Sequence, residues 1–348
     1  MGRIESFGKW NLKDMNWQCI RNSYELGRSF AIASYDDIIN NDGKIDYIII
    51  ANGSRVEDHS KDGFEIKERE LRIDNVLSHY GNLNGNYSVK VFLMDADAPI
   101  IEDARRLAYY IEKLALSPKT NSVNVIGLSK CGVMNFYIPS FFRNPNTFSK
   151  TNIYNIAAPY DGTKLASPLI FYPELKKYIF SIFRNERITE FVYNKVISMY
   201  EGVSSNSHMD YDIAIPGGIP QDKIHLYDER LVKEVFRDKN VSAIQRLNCF
   251  RNMVTGINSN TLKEALLTMN YAGIGLCLFD DIFFDNKSDG MVLTASQEKV
   301  GQYLDVNQYR LEGAHHDVNS NIRVFNEVLS VVDDTIDEFN VKSRSKKR

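Results

Sequence analysis

The chain predicts an α/β fold: a mostly parallel central sheet with helices on both faces and an inserted helical cap. Three observations carry this. Short β-rich apolar runs alternate with amphipathic helical stretches from about residue 44 onward. The runs are apolar on nearly every residue, as strands covered on both faces are. One stretch of more than a hundred residues then shows no sheet pattern, which is too long for a plain loop.

Taken in order, the first 40 residues offer a helix and one or two edge strands, Phe30 to Tyr35 being the best strand candidate. Ile45 to Ala51 reads as the first clear strand and Ser88 to Met94 as the second. Between Pro99 and Leu116, Ala104, Leu107, Ala108, Ile111, Leu114 and Ala115 recur at helical spacing with charges opposite. Ser122 to Ile126 and Asn152 to Ala157 are the third and fourth strands, Ala272 to Phe279 the fifth, and Tyr309 to Leu311 the sixth. A closing helix carries Ile322, Phe325, Val328, Leu329, Val332, Ile336 and Phe339 on one side. The expected organisation is a discontinuous core, residues 1–162 and 271–341, with an aromatic-rich helical cap over 163–270 and a basic disordered tail over 342–348.

Composition removes several function classes. The 348 residues carry 42 Lys+Arg against 45 Asp+Glu, a net charge of −3, so no general electrostatic case for nucleic acid exists. No apolar run approaches the roughly 18–20 residues of a membrane span. The start, Met1-Gly2-Arg3-Ile4-Glu5-Ser6, is charged and lacks the apolar region of an export signal, so a cytoplasmic location is expected, with non-Sec export left open. Gly2 followed by Ser6 formally fits a myristoylation acceptor. Cys19, Cys131, Cys249 and Cys277 form no CxxC pair and read as buried thiols. The six histidines contain no HExxH pattern. No metal and no organic cofactor is expected.

The chemistry concentrates at Val123-Asn124-Val125-Ile126-Gly127-Leu128-Ser129-Lys130-Cys131-Gly132-Val133. A β-rich run ends in Gly-x-Ser-x-Cys-Gly and enters an apolar helical stretch. That is the context of a nucleophile elbow, in which a serine sits on a strained turn above the sheet. Positions two before and two after the serine must be small; Gly127 fits, and Cys131 replaces the more usual glycine, with Gly132 following. Cys131 as the nucleophile is disfavoured, because its position falls inside the helix start.

Here the chain resembles the α/β-hydrolase superfamily, and within it the lipase-like serine esterases. Four further segments carry the resemblance, in the family's order. Ile48-Ile49-Ile50-Ala51-Asn52-Gly53-Ser54 resembles the family's apolar-His-Gly-x segment, with Asn52 in place of the usual histidine. Ile153-Tyr154-Asn155-Ile156-Ala157-Ala158-Pro159-Tyr160-Asp161-Gly162-Thr163 is similar to the segment that precedes the cap in lipases. Ser288-Asp289-Gly290-Met291-Val292 resembles the turn that carries the acid, and Gly313-Ala314-His315-His316-Asp317-Val318 the terminal His-x-Asp loop. The match runs from about residue 45 to 335, the cap excepted.

A serine hydroxyl needs a base within hydrogen-bond reach and a third group to orient that base. The order Ser129, Asp289, His315 is the one this fold uses. His316 is the alternate base, and Asp280, Asp281 and Asp285 are the fallback acids. The resemblance implies an oxyanion hole from the backbone N–H groups of Ser54 and Lys130, and the Lys130 side chain would draw an anionic head group toward the mouth. Asp317 alone does not make a calcium site, since that ion wants six to eight oxygens. The expected activity is a serine esterase on acyl or lipid esters, with transient membrane-surface contact and an open oligomeric state. A thioesterase, acyltransferase or amidase using the same residues, and a catalytically silent hydrolase fold used for binding, remain the alternatives.

Overall fold

Period-two alternation decides how this chain layers. Along successive strands, Ile49, Val123, Val125 and Ile153 fall in one buried cluster, while Ile48, Ile50, Ile126 and Tyr154 fall in another. A strand sends adjacent side chains to opposite faces, so two clusters from alternate residues mean one sheet covered twice. The computed structural model describes residues 3–6, 31–40, 43–51, 57–58, 65–66, 73–93, 100–160, 176–177, 180, 184–191, 193–194, 250–256, 289, 292–302, 304–315 and 317–345.

Among the described residues, the main sheet has eight strands: β1 (Arg3–Ser6), β2 (Ala31–Ile39), β3 (Ile45–Ala51), β4 (Asn86–Leu93), β5 (Thr120–Leu128), β6 (Thr151–Ile156), β7 (Phe250–Gly256) and β8 (Asn307–Glu312). Their spatial order is β1-β2-β4-β3-β5-β6-β7-β8. β2 runs antiparallel to both its neighbours; every other pairing is parallel. Parallel neighbours need crossovers, which helices supply. Helix α1 (Ile73–Gly81) joins β3 to β4, α2 (Ile100–Ala115) joins β4 to β5, and α3 (Lys130–Tyr137) follows β5. Helix α4 (Thr294–Glu298) precedes β8 and α5 (Ile322–Ser345) follows it. Leu107 and Ile111 of α2 and Met134 of α3 cover one face; Val76 of α1 and Val328 and Val332 of α5 cover the other. Each such buried aliphatic contributes about 1.5–3 kcal/mol.

Three expectations change. First, β7 lies inside the segment 163–270 expected as cap, and it pairs with both β6 and β8 as a core strand. Its sequence hid it because Arg251 and Asn252 are polar yet buried. Asn252 is satisfied there, its amide donating to the Gln297 carbonyl at 2.7 Å. The fifth strand expected at residues 272–279 lies outside the described residues. Second, Phe30 to Tyr35 does not form an edge: β2 sits between β1 and β4 and runs to Ile39. Third, residues 342–345 are helical rather than a disordered tail, since α5 ends at Ser345. Among the described residues, no helix is long and apolar enough to cross a membrane.

At the edge of the sheet where the parallel strands begin, Asp46 is buried on β3 and accepts hydrogen bonds from Ser122 Oγ and Asn121 Nδ2. Asn121 also reaches Asn340 of α5, at 2.9 Å, and ties the last helix to the sheet. Burial raises the Asp46 carboxyl; the Ser122 and Asn121 bonds oppose the rise, and the nearby Asp337 charge adds to it. A carboxyl raised in the folded state favours folding when protonated, and that contribution is lost as pH rises through its folded value. Asp46→Asn keeps the acceptor oxygen and removes the buried charge. Its Tm is therefore expected to rise by about 2 °C at about pH 8 and by less at about pH 5, read by circular dichroism. Equal gains at both would contradict this account.

Candidate active site

The turn after β5 is built from a close approach of strand and helix. A Cβ on Gly127 would collide with the Asn135 amide and lie 2.7 Å from the Cys131 carbonyl oxygen. A Cβ on Gly132 would lie 2.6 Å from the Cβ of Ala158, beyond β6. With no room for a wider bend, Ser129 takes φ 55° and ψ −122°, the left-handed half of backbone space. For a residue with a Cβ that strain costs about 1–3 kcal/mol. It is held from both sides: the Ser129 N–H donates to the Ile156 carbonyl at 2.8 Å, and its carbonyl accepts from Gly132 N–H at 2.9 Å. Asn135, wholly buried in α3, clamps the turn. With its amide oxygen facing Gly127 N–H (3.1 Å), its Nδ2 faces the Cys131 carbonyl (3.3 Å). Ser129 itself stays half-buried while Lys130 to Ser140 are all buried.

β5, β7 and β8 are parallel, so their last residues share one rim of the sheet. Past β8, Gly313 N–H donates to the Gly256 carbonyl at 3.0 Å and extends the ladder. Asp317 then folds the loop back, its Oδ2 accepting from Ala314 N–H at 2.7 Å. One backbone bond locks the acid loop to this turn, His315 N–H to the Asp289 carbonyl (2.9 Å), and a second closes the acid loop on itself, Asp289 N–H to the Val292 carbonyl (3.2 Å). The side chains converge as a result. His315 Nε2 lies 3.0 Å from Ser129 Oγ, and His315 Nδ1 lies 2.8 Å from Asp289 Oδ2.

Asp289 is fully buried. Burial alone would raise its carboxyl, but the His315 charge and hydrogen bond, the Thr255 hydroxyl and the Val292 N–H outweigh it and hold it below the ordinary carboxylate value. An anion facing Nδ1 fixes the imidazole with its Nδ1 proton toward the acid, which leaves Nε2 as acceptor toward Ser129.

The architecture is that of the α/β-hydrolases. No family model and no curated protein matches the chain. Among solved structures, it is similar to a Bacillus licheniformis lipase in its mature form, at 11% identity over 86% of this chain and 97% of that one, TM-score 0.43. It is also similar to brefeldin A esterase, described as a bacterial homologue of human hormone sensitive lipase, at 10% identity over 100% and 79%, TM-score 0.41. The thioesterase domain from the curacin biosynthetic pathway matches at 8% identity over 87% and 95%, TM-score 0.39. Likenesses this low do not bear on chemistry.

Of the residues singled out on sequence, Ser129, Asp289 and His315 meet; Ser54, His316, Asp280, Asp281 and Asp285 lie outside the described residues. Lys130 begins α3, but its side chain is 1% exposed, so it does not stand at the mouth to draw an anionic group. The turn that leaves Ser129 accessible places the next side chain inside, where its charge and that of Asp103 act on Cys131. Burial pushes the Cys131 thiol far up, which keeps it protonated and unreactive. Thr255, Gln297 and Asn135 belong to the site's frame and were not singled out. Thr255 lies next to the last residue of the strand that its polar residues concealed, and a lone Gln carries no local signal.

The contact at Gly132 makes a direct prediction. Gly132→Ala has no flexible side chain to push aside, so it should destabilise the fold by about 1–3 kcal/mol, read as a lower urea midpoint. An unchanged midpoint would mean that the strand–helix approach is looser than described.

Proposed function

We propose that the chain is a serine hydrolase that cleaves carboxylic esters through an acyl-enzyme, with Ser129 as nucleophile, His315 as general base and acid, and Asp289 as its orienting anion. The observation that carries the reading is the unbroken line from Ser129 Oγ through His315 to the buried Asp289, 3.0 and 2.8 Å long. A serine on a left-handed turn at a helix start supports it further.

As Ser129 Oγ attacks the ester carbonyl carbon, His315 Nε2 takes its proton and Asp289 stabilises the imidazolium. The carbonyl oxygen becomes an oxyanion. Lys130 N–H, at the first position of α3, points with the helix N-terminus toward that charge and is proposed as one donor, with Ser54 N–H as the second. His315 returns the proton to the departing alcohol oxygen, leaving the acyl group on Ser129. Water, deprotonated by the same imidazole, then attacks the acyl carbon; the bond to Ser129 Oγ breaks, His315 returns the proton to that oxygen, and the carboxylic acid leaves. A thioester acyl donor would pass through the same steps.

For substrate we propose esters of apolar acyl chains, with the segment between β6 and β7 as a cover. Its aromatic composition supports this, as do Phe180, Ile188 and Phe191, exposed on its described residues.

A fluorophosphonate probe tests the reading. Wild type should be modified at Ser129 and Ser129→Ala not at all, with peptide mapping as the readout. Asp289→Asn should fold yet lose on the order of 10⁴ in kcat on p-nitrophenyl butyrate, because the imidazole then loses its anionic orienter. Label on another residue, or full activity in Asp289→Asn, would overturn the assignment.

A further inference from the structure

Asp289 is oriented by more than its histidine. Three donors meet its Oδ2: His315 Nδ1 at 2.8 Å, Thr255 Oγ1 at 2.6 Å and Gln297 Nε2 at 3.1 Å. Val292 N–H meets Oδ1 at 2.7 Å. Thr255 and Gln297 are both wholly buried, one at the end of β7 and the other in α4.

We propose that Thr255 and Gln297 are positioning residues of this site, which aim Asp289 Oδ2 at His315 Nδ1 and so aim His315 Nε2 at Ser129. The inference rests on the serine-hydrolase reading. The Gln297 amide has only one satisfactory orientation. Its Oε1 accepts from the Thr255 backbone N–H at 2.8 Å, which turns Nε2 toward the Thr255 carbonyl (3.1 Å), the Val292 carbonyl (3.2 Å) and Asp289. The NH₂ group therefore faces the carboxylate, and the Thr255 hydroxyl, its proton drawn to the shortest contact, does the same. Both are donors to a fully buried acceptor, and a carboxylate meeting several donors is fixed in rotation as well as in charge.

Gln297 is itself held. Its carbonyl accepts from Asn252 Nδ2 on β7, and Asn252 Oδ1 accepts from the Tyr160 hydroxyl at 3.3 Å, which in turn accepts from Asn155 Nδ2 on β6 at 2.7 Å. The acid is thus referenced to β6 and β7 as well as to its own loop, whose Val292 N–H meets Oδ1.

The test uses the full chain and three variants. Thr255→Val keeps shape and removes the donor; Thr255→Ser keeps the donor; Gln297→Leu removes the amide. Two readouts are taken: the maximal rate and half-saturation of fluorophosphonate labelling at Ser129, and the downfield proton resonance of the His315 Nδ1–H. Thr255→Val and Gln297→Leu are expected to lower the maximal labelling rate about 10- to 100-fold with half-saturation unchanged, and to shift the resonance upfield. Thr255→Ser should restore both to within about threefold of wild type. Wild-type labelling and an unmoved resonance in Thr255→Val would overturn the proposal. If wild type is not labelled at Ser129, the hydrolase reading fails separately, and the resonance alone decides the positioning role: moved in Thr255→Val and restored in Thr255→Ser supports it, unmoved overturns it.

Discussion

The distance between β5 and α3 sets the conditions for everything at the rim. Gly127 and Gly132 leave no space for a Cβ, so the chain reverses within one residue and Ser129 bears the strain as a left-handed φ. That strain has a geometric use. A relaxed turn would swing the hydroxyl into the helix or down the strand; the strained one lifts it above both, at the N-terminal end of α3. The bonds to Ile156 and from Gly132, with the Asn135 clamp, make the strained state the stable one. A proposed nucleophile is thereby placed before any substrate arrives, and preorganisation of this kind avoids reorganisation cost during reaction.

Parallel strand direction does the rest of the assembly. Residues 129, 255, 289 and 315 are far apart in sequence, yet the ends of β5, β7 and β8 lie along one rim of the sheet, where the four groups come into hydrogen-bond range. The cost is a fully buried charge at Asp289. A buried carboxylate is tolerated when its donors are complete, and here threonine, glutamine, histidine and a backbone N–H supply them. The buried amides and tyrosine behind them carry this polar arrangement through the sheet instead of leaving it isolated in an apolar core.

What could be read in the sequence follows from which physical signals are local. Ile45–Ala51, Thr120–Leu128 and the α2 face announce themselves through short-range periodicity. The Gly-x-Ser turn is equally local, because the two sides that must be small are adjacent in the chain. β7 was illegible because Arg251, Asn252 and Thr255 are polar, and the buried Asn252 and Thr255 are satisfied by partners dozens of positions away. The inward direction of Lys130 was hidden for a related reason: a side chain's direction after a strained turn depends on the fold around it, and no spacing rule reports it. Gln297 belongs with these; its role exists only once β7 and the acid loop stand next to α4.

The central claim is that an acyl group passes through the hydroxyl of Ser129. Rapid acid quench during turnover of p-nitrophenyl acetate, followed by peptide mass spectrometry, tests it most directly. The account predicts an acetyl group on the peptide carrying Ser129, accumulating in step with an initial burst of p-nitrophenol and absent from Ser129→Ala. Turnover undiminished in Ser129→Ala, or acetyl found only on another residue, would contradict it.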